Sequence, residues 1–162
     1  MSKSSCLAFL MSLLVLVSAQ AQSHLDPSQF SGEWQGSGIY SLSGEHHHCP
    51  VFFMKFQGSR WLMNFEGGHR ECGPIREKFA PVGMAYDKGQ LYYNGRVVGE
   101  VKGNVLEARF SMPEGNGRVR HWRMSLRREG DTIVYEESRT LDNATTPLIS
   151  FAGLLKKVKP GR

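Results

Sequence analysis

Residues 51–65 read VFFMKFQGSRWLMNF, and the reading of this stretch decides the fold. Gly58-Ser59 is a two-residue turn with glycine first, the chemistry of a tight hairpin. Folded about that turn, Phe56 faces Trp61, Met54 faces Met63, and Phe52 faces Phe65. Residues two apart share a face of a strand, so one side of the hairpin becomes a continuous aromatic and thioether surface. The other side sets Lys55 against Leu62, Phe53 against Asn64, and Val51 against Glu66. A sheet face this apolar has to be covered by the chain or filled by something else.

The rest of the chain supplies the cover. Turn signals recur every eight to twelve residues after Gly32, and no long helical pattern appears. Asn94-Gly95 is the strongest of them, with Asp87-Lys88-Gly89-Gln90, Gly103-Asn104, 114–117 and 128–131 marking further turns. The hairpin over 128–131 places Leu126 opposite Ile133, Met124 opposite Tyr135, and Trp122 opposite Glu137. Its other face pairs Arg123 with Glu136 and Arg127 with Thr132. About Gly103-Asn104, Glu100 falls opposite Glu107, an uncomfortable pair that points to a bulge or an extra residue in that turn. The pattern predicts an all-β fold: an antiparallel up-and-down meander of about 8–10 strands. Closure into a barrel removes the open edges that such a meander would otherwise carry. A barrel of this size encloses more space than side chains readily fill.

The first residues stand apart. Lys3 precedes an apolar run over 6–17, and Ala19-Gln20-Ala21 has the small-residue spacing of a cleavage site. Residues 1–21 read as a cleaved signal peptide, and 22–162 as a single domain, secreted or periplasmic. Removing Lys3 lowers the formal net charge from +5 to +4, a weak bias toward anionic partners. No second apolar run reaches spanning length, so the mature chain is expected not to cross a membrane. Removing Cys6 leaves Cys49 and Cys72, an even count in an exported chain, and a disulfide between them is expected. In the hairpin register Cys49 faces Gly68, so the loop over 67–73 has to fold back for the bridge to form. A bridge of this span contributes roughly 3 kcal/mol in the chain-entropy account.

Phe30-Ser31-Gly32-Glu33-Trp34 resembles the F-x-G-x-W opening of the lipocalins and related calycin barrels. In that family the motif begins the first strand and the tryptophan packs across the closed end of the barrel. The resemblance assigns Gly32 and Trp34 this structural role and implies a lipocalin-like barrel that holds a small apolar molecule. The family's arginine, which packs on the tryptophan, has no motif here; Arg139 and Lys157 are the available cations. The chain also lacks the T-D-Y motif and a helix after the barrel.

Several groups invite chemistry. Glu45-His46-His47-His48-Cys49 offers three imidazoles and a thiol to a metal ion or haem, but consecutive strand residues point to opposite faces. The basic run from Arg118 to Arg128 contains Trp122, yet alternation sends Arg123 and Arg127 away from it, which argues against nucleic acid. Arg120 shares a face with Trp122, Met124 and Leu126. If that face is interior, Arg120 holds a ligand head group or pairs with Glu137. Lys156, Lys157, Lys159 and Arg162 read as a solvated terminus, and Asn143-Ala144-Thr145 fits a glycosylation sequon. No nucleophile elbow, phosphate loop or convergent acid–base pair is found, so no catalysis and no cofactor is expected.

The expected function is therefore an exported binding protein that takes a small hydrophobic or amphipathic, lipid-like ligand into a barrel cavity. Phe52, Met54, Phe56, Trp61, Met63 and Phe65 from the first hairpin would line it, with Arg120, Trp122, Met124 and Tyr135 from the second. The alternatives are a packed barrel whose loops over 44–49 and 67–73 engage a protein partner, and metal or haem binding through His46, His47 and His48.

Overall fold

The structure, a computed structural model, describes residues 26–159. The expected cleavage after Ala21 lies outside the described residues, as does Arg162. A single 3-10 turn, Pro27–Phe30, leads into strands β1 (Gly32–Leu42), β2 (Glu45–Gly58), β3 (Leu62–Cys72), β4 (Ile75–Phe79), β5 (Val82–Asp87) and β6 (Gln90–Tyr93). Strands β7 (Arg96–Lys102), β8 (Val105–Pro113), β9 (Val119–Glu129), β10 (Thr132–Leu141) and β11 (Ile149–Lys157) follow. Every pairing is antiparallel. Ten strands close a ring in chain order, β11 back onto β1, and β4 is the one strand outside it. The all-β barrel expected from the turn spacing is thus present.

β4 has a simple origin. The Gly68–Cys72 half of β3 pairs with β4, while Leu62–Phe65 pairs with β5 along the same edge, since β2 occupies the other. β4 and β5 are one long strand broken at Ala80-Pro81, where proline has no N–H to give to a ladder.

The tight turns follow their residues. Asn94-Gly95 has φ of 49° and 74°, and Lys88-Gly89 has 47° and 89°, both positive as a twist-matched hairpin turn demands. The bulge or extra residue expected in the Gly103-Asn104 turn is absent: the ladder runs without a shift and Glu100 does stand opposite Glu107. Each carboxylate leans toward a cation two residues along its own strand, Lys102 at 2.8 Å and Arg109 at 3.9 Å.

The first hairpin corrects the register. Its turn spans Gly58 to Leu62, with Ser59 N–H donating to Leu62 O at 2.8 Å, so Phe56 faces Phe65 and Gly58 faces Met63. Trp61 is left in the turn, 62% exposed, not in the barrel. The interior at this end is already filled by Phe30 and Trp34, both fully buried. A bulge then inserts Glu66 between two paired positions, next to Gly67 at φ 123°. Beyond it Phe52 faces Arg70, and Val51 faces Glu71. The extra residues bring Cys72 beside Cys49, and the two form the disulfide with no loop folded back.

The hairpin about Gly130-Asp131 shifts by two residues, so its faces survive while its partners change. Tyr135 stands opposite Leu126, Glu137 opposite Met124, and Arg139 opposite Trp122. Arg123 meets Ser138 and Arg127 meets Val134, so neither expected charge pair forms; Arg127 bonds Glu129 of its own strand at 3.1 Å.

One end of the barrel is shut. Trp34 Nε1 donates to Phe30 O at 2.8 Å, and Lys157 Nζ lies 5.5 Å from the centre of the Trp34 ring. Lys157, not Arg139, is the cation on this tryptophan. Gln29 and Arg128 bind the 3-10 turn to the barrel rim through Gly103 O and Gln29 O. Above this plug Met63, Met84, Leu91, Leu106, Leu126, Ile133 and Leu155 pack the lower interior without exposure.

Candidate ligand cleft

The upper interior is different, because the wall is low on one side. β6 and β7 are short, and their Asn94-Gly95 turn ends part-way up. β7 pairs with β8 only over Val105–Ala108, leaving Arg109 to Pro113 unpaired on that edge, while β4 pairs only with β3. Between β4 and the upper half of β8 the barrel therefore has a lateral window.

A cleft of about 660 Å³ opens there, lined by Val82, Val98, Phe110, Met112 and Trp122, with Tyr93, Arg96 and Arg109 at its rim. Its floor is aromatic: Phe110 lies 5.8 Å from Trp122 and 6.1 Å from Tyr93, the latter edge-on. Trp122 Nε1 is buried with no hydrogen-bond partner among the described residues. Val82, Val98, Phe110 and Trp122 also pack on the barrel core, so the cleft is the open continuation of the interior.

Behind Trp122 sits a closed square of charges. Arg70 donates to Glu77 Oε2 (2.6 Å from Nε) and to Glu137 (3.0 Å from Nη1 to Oε2). Arg139 donates to Glu137 Oε1 at 2.6 Å and to Glu77 Oε1 at 3.0 Å. Tyr135 OH donates to Glu137 Oε2 at 2.8 Å. Two guanidinium groups and two carboxylates cancel, so the square carries no net charge. The side chains of Arg70 and Glu137 are 0% exposed. Arg70 also lies over the rings of Tyr40, Phe79 and Phe151, at 4.8, 5.2 and 4.7 Å, and Arg139 lies 5.4 Å over Trp122. Burial, then the neighbouring Glu137 charge, pushes the Tyr135 hydroxyl well above its ordinary range. Burial opposes the Arg139 charge, yet Glu137 and Glu77 outweigh it and hold that group above its usual value.

The residues read from sequence divide accordingly. Phe52, Met54, Phe56, Met63, Phe65, Met124 and Tyr135 are buried in the packed core, and only Trp122 of the expected lining borders the cleft. Arg120 neither reaches Glu137 nor lines the cleft; it pairs with Glu114 at the rim. The interior arginine is Arg70, which the bulge at Glu66 turned inward. Two glycines after Glu66 were its only signal in the sequence. His46, His47 and His48 lie within β2 and alternate across it, His47 opposite the buried Tyr40. Among the described residues no three His, Cys, Asp or Glu side chains gather as a metal site would need. His69 stacks on Phe53 at 5.6 Å, outside the barrel.

No known protein family, curated protein or solved structure matches the chain. The architecture itself, a closed antiparallel ten-strand barrel with one added strand and a tryptophan at its shut end, is compatible with a calycin-like fold.

Proposed function

We propose that this is an exported binding protein that takes a small apolar or amphipathic molecule into the lateral cleft. The observation that carries the reading is the cleft itself: about 660 Å³, open to solvent and walled by Phe110, Trp122, Val82 and Val98. Ligand sites are concave, mostly apolar and on the order of 300–1,000 Å³. Binding is by burial, which yields about 25 cal/mol for each Å² of apolar surface removed from water. The neutral charge square acts as a rigid backing for Trp122, and the reading assigns no chemical step to it.

Titration with an environment-sensitive apolar dye, followed by energy transfer from tryptophan, tests this. Saturable binding of one dye per chain, with Trp122→Phe removing most of the transfer, is the expected result. Transfer that persists unchanged in Trp122→Phe, or no saturable binding, sinks the reading. Export is tested separately by sequencing the N-terminus of the released protein, which should begin at Gln22.

A further inference from the structure

We propose that the free upper edge of β8 accepts an extended segment of another protein as an added strand, one in which acidic residues alternate with apolar ones. The ladder geometry gives the edge its polarity. In the Gly103-Asn104 hairpin Lys102 faces Val105, and Asn104 O accepts from Arg128 N–H. Alternation from these points sends the backbone groups of Leu106, Ala108, Phe110 and Met112 toward β9, and those of Arg109 and Ser111 into the window. Those two residues offer donors and acceptors that the barrel ladder does not use, and Pro113 ends the edge with a carbonyl alone.

The side chains then select the guest. A residue paired directly opposite Arg109 or Ser111 points outward with them, and its neighbours point inward over Phe110 and Trp122. The outward surface is basic. Arg109 stands opposite Arg123 on β9, its nearest carboxylate is Glu107 of its own strand at 3.9 Å, and Arg123 has no ion pair among the described residues. Across the window β4 presents Arg76 and Lys78, both exposed. An outward carboxylate on the guest gains from these cations, and an inward valine or leucine enters the cleft. The same cations oppose a second copy of this chain, since pairing two such edges brings two basic outward surfaces, each with Arg109 beside Arg123, against one another. The inference does not depend on a small-molecule ligand; it uses the edge of β8, with the cleft receiving the inward side chains.

A fluorescein-labelled octapeptide alternating glutamate and valine, followed by anisotropy, is the probe. It should bind saturably, and a lysine–valine peptide of the same length should bind about tenfold more weakly or worse. Methylating the glutamate amide nitrogens, which would face β8, should cost about tenfold as well, because it removes the ladder donors without changing charge. In Arg123→Glu, a position outside the cleft lining, the glutamate–valine peptide should lose about tenfold while the apolar dye still binds, which separates this site from the cleft reading. Equal binding of the methylated or the lysine peptide overturns the proposal, as does no binding at all. A concentration-dependent dimer of the protein alone that blocks the peptide would assign the edge to a second copy and overturn it too.

Discussion

Arg70 Nη1 lies 3.0 Å from Glu137 Oε2, although the two are 67 positions apart in sequence, and neither side chain is exposed. The pair joins β3 to β10 through the middle of the barrel, not along its wall. Burying two charges costs several kcal/mol each, and the cost is offset here because each group finds more than one partner. Removing one member should therefore be worse than removing both. Arg70→Met leaves Glu137 buried with only Arg139 and Tyr135, and a loss of about 3–5 kcal/mol is expected in urea denaturation. Arg70→Met with Glu137→Leu should recover a good part of that loss. A double variant less stable than Arg70→Met would show that the square is held by something other than charge.

Tyr135 gives the alkaline limb of stability. Its hydroxyl is raised above the ordinary value of 10.0 by burial first and the Glu137 charge second. The folded state then holds the proton more tightly than the unfolded one. Stability from this group is intact below about pH 10 and falls as pH climbs from there through the folded value. Tyr135→Phe should flatten that fall, while costing about 1.5–3 kcal/mol at neutral pH for the hydrogen bond to Glu137. Tyr40 and Tyr86, also raised chiefly by burial, keep the limb from vanishing. Denaturation midpoints at about pH 8 and pH 11 make the comparison; equal slopes in both proteins contradict it.

The two hairpins show why much of this architecture, but little of the site, was legible in the sequence. At Gly130-Asp131 the register moved by two, and a shift of an even number leaves every side chain on its face. Alternation therefore puts Tyr135, Met124 and Glu137 on the interior face, where they are buried, but gives them the wrong partners. At Glu66 a single residue was inserted, and one residue reverses every face beyond it. That put Arg70 inside and His69 outside, and nothing in the alternation of residues 62–72 announces it. Trp61 failed for a different reason: glycine at 58 reads as a turn residue, but here it serves a close approach.

Gly58 is that approach. A Cβ there would lie 2.2 Å from Pro27 O and 2.3 Å from Pro27 C, both backbone atoms that cannot swing aside. Gly58→Ala should push the 3-10 turn off the barrel and cost about 1–3 kcal/mol, the usual range for overpacking. The displaced turn takes Phe30 O from Trp34 Nε1, so Trp34 emission should shift to the red in a Trp61→Phe background. An unshifted spectrum with unchanged stability would mean the plug does not rest on Gly58.

Met112 separates a lateral route into the cleft from one through the barrel axis. It lines the cleft at the top of β8 and is 43% exposed, so a larger side chain has room without disturbing the core. Met112→Trp should leave the urea midpoint within about 0.5 kcal/mol of the parent, as for other surface changes. Its indole would cover the aromatic floor of Phe110 and Trp122, and dye affinity should fall about tenfold, the loss of roughly 1.4 kcal/mol of burial. Unchanged stability is what makes the loss interpretable, since it rules out unfolding as the cause. Full affinity in Met112→Trp would place the bound molecule in the interior below the window, where Met124 and Tyr135 would have to move apart to admit it.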